Sequence, residues 1–245
     1  MAASQDHGFM FEKTILNEVV QRLGPAGSPP PGMPSDPTAR FDLPAWRDPT
    51  RAGLPTSIKM TKNQTNPKID MADAKRIVGL AGVPMWRLIV GIYDQVGDEK
   101  IVSEIRIYTI SEEIWSEVTG DIPPILVSRF HDSLKEGTVE EARVAAKKRK
   151  AKLTREVTSI LKWAAKIDKS QRRLQCTLPL KPLEALILER GEGEIQVYGV
   201  PKGTNRPDHL KPLSPRLWGG MGPSLPMVFH SPPRPRKKKD KAEQA

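Results

Sequence analysis

The stretch GLPTSIKMTKNQ, Gly53 to Gln64, decides how the chain is read. Its centre is strand-like, and side chains on a strand alternate between faces, so Ser57 and Lys59 share one face while Ile58 takes the other. A lysine on a strand edge is ordinarily solvated. Whether this one does chemistry depends on what the rest of the chain sets beside it.

On the N-terminal side, ARFDL (residues 39–43) reads as a second short strand. The intervening PAWRDPTRAG is rich in turn formers, so the two are expected to pair as a hairpin. Further back, PAGSPPPGMPSDPT holds too much proline and glycine for a helix or a central strand, and residues 25–37 are expected to be a loop. Before it, HGFMFEKTILNEVVQRLG carries Ile15, Leu16, Val19, Val20 and Leu23 at helical spacing and stops at Gly24, which predicts a first helix.

On the C-terminal side, MADAKRIVGL suggests a short helix. MWRLIVGIYDQ and KIVSEIRIYTI, rich in β-branched and aromatic residues around a VGDE turn, predict two strands. Thr138 and Glu141 form a capping box that opens a long helix, with Val139, Ala142, Ala146, Leu153, Val157, Ile160 and Ala164 along one face. RRLQCTLPL then reads as a strand, PLEALILE as a short helix and EIQVYGV as a small final strand. From Pro201 onward prolines recur without periodicity and the chain closes on RPRKKKDKAEQA, so residues 201–245 are expected to be a largely disordered basic tail to a domain over 1–200. The fold class is α/β, a small mixed sheet flanked by helices.

Charge narrows the partners. The 39 Lys and Arg against 29 Asp and Glu among 245 residues leave a net charge of +10, which favours an anionic partner, nucleic acid first. No stretch reaches the roughly 20 apolar residues of a spanning helix, and MAASQDHGFM lacks the basic-then-apolar pattern of a secretory leader, so a cytoplasmic, non-membrane protein is expected. The lone Cys176 forms no internal disulfide and builds no thiolate zinc site. The run from Arg143 to Arg155 holds seven basic residues and no acidic one, so Lys147, Lys148, Arg149 and Lys150 are expected to meet phosphates. The ordinary reading of such a run is a solvated helix face.

The order of elements, together with GFMFE, FDL and TSIKMTK, resembles the PD-(D/E)XK nuclease superfamily, whose restriction-endonuclease-like core is the fold of many type II restriction enzymes. The resemblance spans roughly residues 8 to 180. It implies a glutamate on the first helix, Glu12, then Asp42 on one strand and Ser57-Ile58-Lys59 on the next. It implies a Mg²⁺ ion held by Asp42 and the Ile58 carbonyl, with Lys59 orienting the attacking water, and double-stranded DNA as substrate, bound by a homodimer where the site is palindromic. KIDKSQRRLQC matches a basic stretch leading into a late strand and makes Arg172 and Arg173 candidate DNA contacts.

This chain departs from the family pattern twice. Phe41 replaces a proline that is often missing in relatives. Ser57 replaces a carboxylate, so a second acid must come from elsewhere: Asp73, in the expected short helix, Asp70 less well, or Glu12. Each has an ordinary reading too, Glu12 as a surface pair with Lys13 or Arg22 and Asp73 as a first-turn helix acid. Asp48 competes with Asp42 but lies in an apparent turn. His131 and Asp132 suggest an acid–base pair but read more simply as a solvated helix end. The implied function is a Mg²⁺-dependent type II restriction endonuclease. The alternatives are a phage recombination or repair nuclease of the same superfamily and a non-catalytic basic nucleic-acid-binding protein.

Overall fold

The computed structural model describes residues 10–17, 41–48, 52–74, 77, 80, 82–120, 122–156, 158–168, 171–199 and 225–230, with the backbone alone at 72, 73 and 153–156. Five helices are named here: α1 (residues 10–17), α2 (Glu112–Thr119), α3 (Pro124–Ser133), α4 (Val139–Glu156) and α5 (Leu180–Arg190). The strands are β1 (Thr56–Lys62), β2 (Lys68–Asp73), β3 (Met85–Val96), β4 (Glu99–Ser111), β5 (Lys162–Ile167), β6 (Arg172–Pro179), β7 (Glu194–Gly199) and β8 (Met227–His230). They form a five-stranded mixed sheet in the order β1-β3-β4-β7, with β8 also on β4, and a three-stranded antiparallel sheet β2-β6-β5.

β3 and β4 make the hairpin that their composition predicts, turning at Gly97 with φ 56°. Both bury nearly continuous runs because both faces of the larger sheet are covered. On one face, Trp86, Leu88, Val90, Tyr108 and Ile110 meet the small sheet and helices α2, α3 and α5. On the other, Ile58, Ile89, Ile105 and Ile107 meet Phe11 and Ile15 of α1 and Phe229 of β8. Gly91 makes room for α1: a Cβ there would lie 2.6 Å from the Phe11 ring.

Several sequence expectations are corrected. Among the described residues of ARFDL, 41–43, no hairpin strand pairs with β1. They contribute a single antiparallel bridge, Leu43 to Thr56, because Ala45–Arg47 turn away as a 3-10 helix on one side and the Asp42 carboxylate takes the Ile58 N–H on the other. β1 pairs instead with β3, in parallel. The segment read as a short helix over 71–80 starts as strand β2, with Ile69 and Met71 buried between exposed Lys68 and Asp70. Only from Ala74 is it helical. The long helix stops at Glu156 rather than running through Ala164. The N–H groups of Ile160 and Leu161 both donate to the Val118 carbonyl, drawing the chain out into β5, where Trp163 and Ala165 alternate with exposed Lys162 and Ala164. Helix α2 has no counterpart among the expected elements, and α3 is anticipated only at its end, where His131 and Asp132 read as a helix end. Ser111 caps the first by accepting from the Ile114 N–H, and Pro124 opens the second at a position where its missing N–H costs nothing. Part of the expected tail is ordered as β8, which pairs with Glu99–Val102. The loop 25–37, the end of the first predicted helix and the basic terminus lie outside the described residues.

α5 is fastened by a buried polar group. Arg106 on β4 bridges Glu104 and, at 2.7 Å, Glu184 of α5, whose Oε1 also accepts from the Tyr108 hydroxyl at 2.7 Å. Burial first, and then the Glu184 carboxylate, push the Tyr108 hydroxyl well above its ordinary value. The folded-state value thus exceeds the unfolded value of about 10. The stability tied to this proton is whole below that pH and is lost as the pH climbs through the folded-state value. Tyr108→Phe should therefore flatten the alkaline fall in urea stability above about pH 10. An unchanged slope in that variant would assign the fall to another group.

Candidate active site

Phe41 packs on Trp86 with ring centroids 5.9 Å apart, and Leu43 exchanges both backbone hydrogen bonds with Thr56, at 2.8 and 2.9 Å. These anchors hold Asp42 against the open edge of β1. There its Oδ2 accepts three hydrogen bonds, from Ser57 Oγ at 3.1 Å, the Ile58 N–H at 2.6 Å and Lys59 Nζ at 3.0 Å. Lys59 Nζ also donates to the Ile58 carbonyl at 2.9 Å. The ammonium thus rests on two hard oxygens while its side chain and that of Asp42 stay 24% and 13% exposed, within reach of solvent. Ser57 and Lys59 pair across from Leu88 and Val90 and share their face of the sheet. Ile58 packs on the opposite face with Phe11 and Ile15.

The structure therefore brings Asp42, Ser57, Ile58 and Lys59 together. Glu12 is half-buried on α1, the helix that covers the Ile58 face. Asp73 ends β2 opposite Gln175, in a strand and not in a helix, and its side chain lies outside the described residues. Asp70 accepts from Gln175 Nε2 at 2.8 Å and is engaged with β6. Asp48 separates cleanly from Asp42. It is buried against Arg87 at 2.6 Å, and its second oxygen accepts from the Leu54 N–H at 3.0 Å, so it braces the loop that leads into β1. His131 is buried, contrary to the solvated reading, and Asp132 is exposed, as neighbours on a helix that do not face each other.

Lys147, Lys148, Arg149 and Lys150 are all exposed on α4, with Ala142 and Ala146 turned inward. Arg149 also donates to the Arg129 carbonyl at 3.3 Å. Arg172 secures the α3–α4 turn, its Nη1 reaching the carbonyl of Gly137 at 2.7 Å and those of Lys135 and Glu136 at 3.3 and 3.5 Å. Arg173 is half-buried on β6.

A divalent cation such as Mg²⁺ takes hard oxygens, and Asp42 and the Ile58 carbonyl are oxygens of that kind already gathered around a positive charge. Among the described residues no three His, Cys, Asp or Glu side chains gather into a metal-holding group. A separate cleft of about 310 Å³, lined by Leu54, Arg87, Ile107, Thr109, Glu194 and Gln196 among others, opens on the other face of the sheet from Lys59. No described helix is long and apolar enough to cross a membrane. Sequence reasoning misses the Phe41–Trp86 contact that helps to seat Asp42, whose only trace in the sequence is the apolar residue before it; the Leu43–Thr56 bridge is the part of the expected hairpin that forms among the described residues. Comparison with family models, with curated proteins and with solved structures finds no match to this chain.

Proposed function

We propose that the chain is a Mg²⁺-dependent DNA endonuclease with a restriction-endonuclease-like core, and within that class a type II enzyme recognising a short DNA site. One observation carries the reading: Asp42 sits on Ser57, Ile58 and Lys59 at once, from 15 to 17 residues away, at the edge of a mixed sheet flanked by helices. Bound there, Mg²⁺ supplies charge neutralisation at the phosphate and acidifies the attacking water. Asp42 and the Ile58 carbonyl are the groups that would hold it, and Glu12 and Asp73 are the candidates for the second acid. The Lys59 ammonium, a compact charge, donates to the water and to the phosphate oxygen on which negative charge grows. Asp42 keeps that ammonium aimed, and Ser57 fixes the carboxylate. The water gives up a proton to solvent and its oxygen bonds to phosphorus as the bond to the 3′ oxygen breaks. The 3′ oxygen takes that bond's electron pair and picks up a proton from solvent, leaving 5′-phosphate and 3′-hydroxyl ends.

Lys147, Lys148, Arg149 and Lys150 supply the phosphate grip, and a two-fold homodimer suits a palindromic site. On this reading the chain would work in the cytoplasm. A phage recombination or repair nuclease shares this site and differs in not depending on a palindrome. The exposed cations of α4 and the net charge of +10 also favour a second reading, a basic nucleic-acid-binding protein without catalysis. Supercoiled and linear duplexes of varied sequence, incubated with the full chain and Mg²⁺ against an EDTA control, separate the two. Cutting that EDTA abolishes supports the nuclease, and binding without cutting on every substrate hands the function to the second reading.

A further inference from the structure

The small sheet has a core face and an outer face with opposite characters. Leu174, Cys176 and Leu178 of β6, Trp163 of β5, and Ile69 and Met71 of β2 look into the core. Alternation puts Arg173, Gln175 and Thr177, Lys162, Ala164 and Lys166, and Lys68 and Asp70 on the other side. Register then sets Lys166 directly opposite Arg173, and Lys162 opposite Thr177. Like charges directly opposite each other destabilise an antiparallel pair, and this sheet carries such a pair with Lys162 and Lys68 exposed on the same face. Among the described residues none of these four cations has a salt bridge. Asp70, an acid on that face, is engaged with Gln175.

We infer that the outer face of β2-β6-β5 is a docking surface for the phosphate backbone of double-stranded DNA, with Lys162, Lys166 and Arg173 as its principal contacts. This rests on the DNA reading above and adds to it a surface other than α4. Lys162 and Lys166 lie four residues apart on one strand, about 13 Å, and Arg173 stands beside the second, so the three spread over several phosphates. The face is continuous with the basic helix: Arg143 of α4 donates to the Ile167 carbonyl of β5 at 3.4 Å. A groove of B-DNA about 12 Å wide admits a helix or a two-stranded ribbon. The spread of these cations over three strands suits contacts to the phosphate backbone. Thr61 Oγ1 donates to the Lys68 carbonyl at 2.7 Å, which ties this sheet to β1 two residues beyond Lys59.

The test is Lys162→Gln/Lys166→Gln, assayed by fluorescence anisotropy on duplexes of several sequences in EDTA over a salt series, so that binding is read without cleavage. The expected result is weaker binding to every sequence and a log affinity against log salt slope shallower by about 1.8, roughly 0.9 for each lost phosphate contact. The thermal midpoint should hold or rise, because the repulsion across Lys166 and Arg173 is gone. Arg173→Gln should shift the slope the same way. An unchanged slope and affinity in both variants, with the loss confined to Lys147→Gln/Lys148→Gln on α4, would overturn the inference. Loss of binding to polyglutamate with duplex binding intact would overturn it as well, in favour of an acidic protein. If the wild type cuts DNA and the slope is unchanged, only this inference fails. If the slope falls and nothing is cut, the surface stands and the nuclease reading fails.

Discussion

Arg106→Met is expected to destabilise the fold by about 3–5 kcal/mol, the cost of stripping the partner from a buried charge. That is a large part of the roughly 5–15 kcal/mol that holds a domain together. Arg106 is 2% exposed and sits between Glu104 and Glu184, which are 0% and 2% exposed. Without it two buried carboxylates share one pocket with no countercharge. Each already keeps one oxygen, Glu104 Oε2 and Glu184 Oε2, buried with no hydrogen-bond partner. Urea unfolding checks the value, and a loss under about 1 kcal/mol would mean that the carboxylates are relieved by some other group. The combined change Arg106→Met/Glu104→Leu/Glu184→Leu should recover most of the loss, since replacing all members of a buried ionic group by apolar ones is often neutral or stabilising. Recovery of that kind would separate the cost of an orphaned charge from a packing defect.

Lys59→Ala and Asp42→Asn should each lower DNA cleavage by about 10²–10³-fold or more, as removal of a single group that stabilises transition-state charge does. Duplex affinity in EDTA should stay within about twofold for Lys59→Ala, because the phosphate grip lies on other elements. Ser57→Ala removes only the 3.1 Å support of Asp42 and should cost far less than either. Glu12→Gln and Asp73→Asn, run in the same assay, locate the missing acid: the true one behaves like Asp42→Asn. Wild-type cleavage by Lys59→Ala would remove the site altogether, whatever binds the DNA.

The strands β3, β4, β6 and β7 and the helix α5 are legible in the sequence because their residue types and burial agree, β-branched and aromatic where the chain is extended, Leu-rich where it coils. The elements that escape such a reading are those whose state is imposed from outside. β5, KWAAKI, holds two alanines and two lysines, weak strand formers that continue a helical spacing from Ile160. It is extended because β6 pairs with it and Trp163 finds the core. β8 is four residues preceded by a proline, made a strand by the free edge of β4. The Asp42–Lys59 pair is legible because a short connection limits where the two can meet. The second acid is not, since its place depends on how α1 and β2 pack around β1, and the second half of β2, from Met71, reads as the start of a helix.

The hydrogen bonds around Ile58 have a bearing on solubility. Among the described residues β1 is the outermost strand of its sheet, and beyond the Leu43 bridge the Ile58 N–H and carbonyl point away from β3, where they are capped by Asp42 and by Lys59. Unpaired groups along such an edge invite a strand from another molecule, and charged side chains laid along it are one way proteins discourage that. The two side chains that define the candidate site thus also close the sheet against self-association. Lys59→Ala uncovers the Ile58 carbonyl on that edge, so this inactive variant carries a tendency to pair edge to edge as concentration rises.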